Sequence, residues 1–449
     1  MSYSSPTALR GNGDLPKYSD LSRGQFPFNQ TSKTVFFCHV PKTAGTTLNS
    51  LLLPHFDERR IWPSSETNSL LYVSDLDQYQ FISGHFPYAM IRQALGHEPI
   101  ALTLVRDPLE RYVSNIIHLK TKPSRGNNAE RRSAELAVEQ LFSQQNEFFA
   151  RRFRDRQSLF LAAEVQPDTP RNMCIEFEQL VASGKRPSEP EALAALEKFA
   201  WVGITERIQE SFDLLCFLFG WRPINQVPRL NKASQELRLS EQEREYILQD
   251  NRVDTVLYNA ALKLHEKQYS QMLKSLRETY QVEIDCSDRS LLVEVLERRY
   301  REQFCRNVLP QSIVHFSFDR ATHSNAWHRC EFSGIRPFRW TGESSADLDF
   351  ALVPNQTYQL QIAMPFSVSS DLVESLEIMC NGHPLKVCIE LRENGYRIET
   401  KIHPEYLEER HSFARLTFRT RAPITVPNDS RPLAVCFSWL SIHPAREIS

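Results

Sequence analysis

The sequence predicts an α/β protein, with a parallel sheet flanked by helices, followed by a C-terminal all-β sandwich. Three observations carry that expectation. Short continuous apolar runs at residues 34–40, 81–82, 100–105 and 199–204 alternate with stretches of helical spacing, as buried parallel strands joined by helices do. Beyond residue 310 the pattern changes to short β-prone segments at 358–362, 385–389 and 414–418, separated by turn signals that include the hairpin dipeptide Asn381-Gly382, which suits a sandwich. At 449 residues with 41% apolar content, the chain is long enough for two or three domains with substantial cores.

The first apolar run breaks at Pro41. A loop of small and hydroxylated residues follows (Lys42, Thr43, Ala44, Gly45), and a helical pattern starts at Thr46/Thr47 and runs through Leu48, Leu51 and Leu52 to Pro54. Strand, tight turn and helix N-terminus together make an anion site, because the first helix amides lack intrahelical partners and the dipole favours negative charge. Lys42 adds a full positive charge, so a phosphate or sulfuryl group is the expected ligand. The loop departs from the nucleotide-triphosphate motif G-x-x-x-x-G-K-[ST], in which lysine follows the second glycine; here Lys42 precedes Gly45.

The run 81–82 leads into Ser83-Gly84-His85-Phe86-Pro87. Gly84 permits close backbone approach, and His85 emerges where a sheet-end residue points toward the Lys42 loop. Histidine is the side chain whose unperturbed pKa suits a base near neutrality. The run 100–105 ends in Arg106-Asp107-Pro108-Leu109-Glu110-Arg111-Tyr112-Val113-Ser114. Asp107 and Pro108 mark an N-cap and first helical residue. Arg106 sits at the strand's carboxyl end, where open α/β sheets bind ligands. Arg111 and Ser114 share a helix face, with Arg111 open between ligand contact and a buttressing pair with a carboxylate.

Further along, residues 129–163 are expected to be helical. They carry Arg131-Arg132 and the arginine cluster 151–156, either a solvated face or a basic wall for an anion. Four prolines with Gly184 suggest a surface excursion over 165–190. The run from Phe199 to Arg207 reads as strand and turn leading into a helix over 208–219, with Glu206 and Arg207 fixing the helix start. Lys232 and Ser234 lie in a polar loop, closing over a ligand or merely connecting. A helix is expected from Ser240, then helices over 251–264, 267–280 and 291–308. Trp327, Trp340 and Trp439 are open between sugar stacking and core.

The 53 basic and 55 acidic residues balance, so global charge makes no case for nucleic acid. Nine cysteines, scattered and odd in number, fit reduced thiols in a cytoplasmic protein and show no metal spacing; Cys38 reads as a small buried hydrophobe. No run approaches the roughly 18 apolar residues of a transmembrane span, and no apolar signal region opens the chain.

The order Pro41-Lys42-Thr43-Ala44-Gly45-Thr46-Thr47 resembles the 5′-phosphosulfate loop of sulfotransferases that use PAPS (3′-phosphoadenosine 5′-phosphosulfate), most closely the carbohydrate, heparan 2-O-sulfotransferase-like group and its soluble bacterial-type members. The R-D-P-x-x-R-x-x-S pattern at 106–114 resembles their 3′-phosphate site, and Gly84-His85 matches their proposed base. The resemblance covers about residues 32–300. It implies a P-loop-like sheet, PAPS as cosubstrate with no metal, and residues 41–47 as the phosphosulfate loop. It also implies Arg106 and Ser114 on the 3′-phosphate, and His85 with Lys42 as the catalytic pair. The expected acceptor is a hydroxyl on a glycan or glycoconjugate. The expected organisation is a flexible leader (1–31), a sulfotransferase domain (32–308) and a β-sandwich accessory domain (309–449). A nucleotide-dependent kinase and a non-catalytic glycan-binding protein with a decayed nucleotide site are the alternatives.

Overall fold

The computed structural model describes residues 33–63, 75–121, 153–165, 170–228, 237–284, 289–407 and 412–445. The leader, Arg131-Arg132, Arg151, Arg152 and the Lys232/Ser234 loop lie outside them.

Four strands, β1 (Val35–Cys38), β2 (Phe81–Gly84), β3 (Ile100–Val105) and β4 (Trp201–Ile204), form a sheet of order β2-β1-β3-β4. Every pairing is parallel, with Val35 opposite both Phe81 and Ile100 and Leu102 opposite Trp201. All residues of β1, β3 and β4 are buried, as a sheet covered on both faces requires. Alternation divides the core into two layers. Phe36, Cys38 and Ile82 pack against helices α2 (Tyr88–Leu95), α4 (Arg156–Ala162), α5 (Pro170–Ser183) and α6 (Glu189–Leu196). On the other face, Val35, Phe37, Leu102 and Trp201 pack against α1 (Gly45–Leu52), α7 (Ile208–Phe219) and α10 (Arg289–Asn307). Two further helices, α3 (Pro108–Thr121) and α8 (Glu241–Asp250), pack on each other beside the sheet.

The helix α9 (Arg252–Tyr280) replaces the two helices expected over 251–264 and 267–280. At 29 residues it extends ~44 Å and serves both layers, with Leu257 and Ala261 in one core and Met272 and Leu276 in the other. The surface excursion expected over 165–190 is also corrected: α5 and α6 occupy most of it. Pro170 opens α5 and Pro190 sits in the first turn of α6, where a missing N–H costs nothing, and Ser188 with Glu191 forms a capping box.

From Val314 the chain forms antiparallel sheets. Strands Ser345–Ala351, Phe413–Arg419 and Glu377–Cys380 lie in one, and Tyr358–Met364, Gly395–Ile402 and Trp439–Pro444 in another; their inward side chains share one core. Asn381 (φ 48°) and Gly382 (φ 84°) make the two-residue turn that pairs Cys380 with His383. The expected strand over 385–389 shifts, starting at Cys388. Charged contacts join this region to the α/β part. Arg415 chelates Asp349 (2.7 and 2.8 Å) and reaches Glu297 of α10 at 2.6 Å, and Tyr300 of α10 donates to Asp349 at 2.9 Å.

Candidate active site

In this strand order the chain leaves β1 for one neighbour, β2, and returns past it to β3 on the other side. Ligands of open α/β sheets bind at the carboxyl ends where the order reverses. The loop after β1 and Arg106 after β3 meet at that switch point.

The loop is wound tightly. Lys42 (φ 71°) and Ala44 (φ 60°) are both left-handed, a conformation that costs a non-glycine residue roughly 1 kcal/mol or more. They bracket Thr43, which is fully buried and donates from Oγ1 to Val40 O at 2.8 Å. Ala44 caps α1 without a side-chain hydrogen bond, and Leu48 is the first residue to bond back, to Ala44 O at 3.2 Å. The amides of Gly45, Thr46 and Thr47 therefore precede the helical ladder, where an anion finds donors. Gly45 is required sterically, because a Cβ there would overlap the His39 imidazole.

His39 lies between the loop and the end of β2. Its ring stacks on Phe37 (centroids 5.6 Å apart) and meets His85 edge-on at 4.7 Å. Burial lowers the His39 imidazole to about 3, with His85 and Lys42 adding repulsion. His85 is lowered to about 4 by burial first, then by the charges of Arg156 and Lys42. Both rings are thus neutral at pH 7, and His85 holds a lone pair within the field of Lys42. Arg156, at the start of α4, stacks over Phe160 at 4.8 Å. Among the described arginines of the cluster, Arg156 is near enough to repel a proton from His85, while Arg154 ion-pairs with Asp250.

Arg106 is fixed at both ends. Its amide donates to Gln157 Oε1 and its carbonyl accepts from Gln157 Nε2, both at 2.8 Å. The guanidinium donates from Nη1 to Lys42 O at 3.2 Å and lies 3.7 Å from Glu206 and 3.6 Å from Glu110. Its Nε, the atom nearest Glu206, is buried and makes no hydrogen bond among the described residues. Glu206 accepts from Asp107 N and from Tyr258 OH, each at 3.2 Å, and burial raises its carboxyl above the usual range. Asp107 caps α3 by accepting from Glu110 N at 3.0 Å. Ser114 is half-buried, ~9 Å along α3 from Pro108.

Arg111 belongs to the frame. It is fully buried, donates to Phe153 O at 2.7 Å and Asn251 Oδ1 at 3.3 Å, and lies 3.8 Å from Asp254. Asp254 in turn caps α4 through the amides of Gln157 (3.0 Å) and Ser158 (2.7 Å). This buried group aims the α4 start, and with it Arg156 and Gln157, at the loop.

A family model described as the sulfotransferase family matches residues 27–300, more than half of the chain. The chain belongs to the sulfotransferase family. A comparison with curated proteins finds no match. Among solved structures, a family GH115 4-O-methyl-α-glucuronidase with specificity for decorated arabinogalactans aligns at 10% identity and a TM-score of 0.20, over 82% of this chain and 46% of that one. The chain thus spans less than half of that structure, and so low a score carries no argument.

Within this sulfotransferase, residues 41–47, His85 and Arg106 stand at one edge of the sheet. Three contributors were not legible as such. Gln157 is an ordinary helix glutamine by sequence, and Thr205 shows only as a hydroxyl after a strand. Thr205 Oγ1 lies 2.9 Å from Thr43 O and 3.0 Å from Val105 O, bridging the loop to β3. The role of Glu206 beside Arg106 had no local signal either. Among the described residues no helix is long and apolar enough to cross a membrane, and no group of three metal-ligating side chains occurs.

Proposed function

We propose that this sulfotransferase uses PAPS and delivers the sulfuryl group to a hydroxyl of a carbohydrate or glycoconjugate, in the manner of the heparan 2-O-sulfotransferase-like group, as a cytoplasmic enzyme. The observation that carries the proposal is the convergence of two anion-binding elements at one switch point: the Lys42 loop and Arg106, tied at 3.2 Å. A donor with a 5′-phosphosulfate and a 3′-phosphate carries two anionic groups, one for each element. ATP has no 3′-phosphate. The amides of residues 43–47 and the Lys42 ammonium stabilise charge on the sulfuryl and bridging oxygens. Arg106, with Ser114, anchors the 3′-phosphate. His85 accepts the acceptor's proton: burial keeps it neutral, and it lies within the field of Lys42.

A kinase would place a carboxylate for Mg²⁺ at the end of β3. That strand ends in Arg106, and the following Asp107 is engaged in capping α3. Calorimetry with PAP, the 3′,5′-bisphosphate product, against ATP tests the assignment. PAP should bind with micromolar-range affinity and ATP far more weakly; equal affinities would overturn it. Incubation with labelled PAPS and an extract of the source cells then identifies the acceptor.

A further inference from the structure

The five-stranded antiparallel sheet has an outer face that the transfer chemistry does not use. Register places Arg397, Ala363, Trp439 and Ser317 in one row across four of its strands. Their chain neighbours Ile398, Ile362 and Leu440 are buried in the core, so alternation puts the row on the opposite face. Ala363 is small, and over it the Arg397 guanidinium and the Trp439 ring meet at 4.6 Å. Phe338 and Phe366, edge to face at 5.5 Å, form a second wall, and Phe366 is 46% exposed. With Tyr396 these groups enclose a cleft of about 1130 Å³.

Charge narrows the ligand. Three arginines, Arg336, Arg392 and Arg397, line the cleft with one carboxylate, Glu393, and Arg392 ion-pairs with Glu390 on its own strand. Arg397 is braced by Gln361 at 2.8 Å and lies 3.7 Å from Glu399, while Arg336 makes no ion pair among the described residues. An aromatic plane beside guanidinium groups suits a sugar ring that offers a C–H face to the indole and an acidic substituent to the arginines. A partner helix would need a continuous apolar strip, which the polar members of the row interrupt. Four strands span ~14 Å, the reach of a short oligosaccharide.

We propose that this cleft binds an anionic oligosaccharide, at a site separate from the transfer centre. Identifying that glycan with the acceptor or product rests on the proposed function; the binding itself does not. The test uses the full chain, titrated by calorimetry with a sulfated heparin hexasaccharide and with neutral maltohexaose. Trp439→Ala and the double variant Arg336→Ala/Arg392→Ala are titrated alongside. The sulfated probe should bind the parent chain, and either variant should weaken it by about tenfold or more. PAP affinity, measured on every variant, should stay unchanged, and circular dichroism with denaturant titration shows that the β region of each one is folded. No binding, equal binding of the neutral probe, full binding by both variants, or displacement of the probe by PAP would each overturn the proposal. A chain that fails to bind PAP but binds the sulfated probe through this cleft would sink the PAPS reading and leave the cleft standing.

Discussion

The Arg106 guanidinium donates to the backbone carbonyl of Lys42 at 3.2 Å, so the two anion-binding elements are mechanically one. Glu206 and Glu110 flank the same guanidinium and hold it in place until a stronger anion competes. Arg106→Ala should therefore weaken PAP by roughly 2–4 kcal/mol, the worth of a charge-assisted pair in a semi-buried site. Isothermal calorimetry measures it, and a loss below ~0.5 kcal/mol would remove Arg106 from the 3′-phosphate.

His85→Ala should lower turnover by about 10²–10⁴-fold, as loss of a positioned base does, with PAP affinity nearly unchanged. Lys42→Ala should damage both, because that ammonium meets the donor in ground and transition states alike. Steady-state kinetics beside PAP titrations separate the two. Near-normal turnover in His85→Ala would make the ring structural.

The His85 imidazole is lowered to about 4, first by burial and then by repulsion from Arg156 and Lys42. An anion at Lys42 offsets that repulsion, so PAP binding should raise the His85 pKa toward the ordinary imidazole range. The linkage is reciprocal: protonating His85 should tighten PAP. NMR titration of the ring with and without PAP checks this, and an unchanged or lowered pKa would contradict it.

Gly45→Ala should destabilise the protein by about 1–3 kcal/mol through overpacking and weaken PAP, since its methyl would enter the space of the His39 ring. Adding His39→Ala makes room for the methyl, so the double variant should recover part of the loss. Denaturant titrations of the four proteins measure that coupling, and additive effects would exclude the proposed clash.

Arg415→Ala should cost roughly 3–5 kcal/mol, because it leaves Asp349 buried without its ionic partner and removes one of the ionic partners of Glu297 of α10. Chemical denaturation measures the loss. A chain ending at residue 309 should still bind PAP, since the anion-binding elements lie wholly upstream. A soluble, folded truncation that cannot bind PAP would show that the β region supports the site.

The local pieces of the site could be read from sequence because their causes are local. Pro41 ends the first run, Asp107-Pro108 starts α3, and the helix expected from Ser240 begins there, with Ser240 and Glu243 forming a capping box. The misreadings also have local causes. Prolines at 170 and 190 look like loop signals unless they fall in first turns, as they do here. Polar residues around 265 hid the continuity of α9, whose His265 is buried against Ser211 at 3.1 Å.

By itself, the sequence determined the strand–loop–helix at Lys42, the strand ending in Arg106, and the change to β structure after residue 310, because apolar runs, turn residues and caps act over a few positions. Only the tertiary structure decided that β3 lies beside β1, bringing Arg106 to Lys42 across 64 positions of chain. It also settled Arg111 as a buried strut, set His39 against both Gly45 and His85, and gathered Trp439, Arg397 and Phe366 around one cleft. Those relationships depend on sheet order and on which faces helices cover, terms fixed by burial over the whole chain rather than by neighbouring residues.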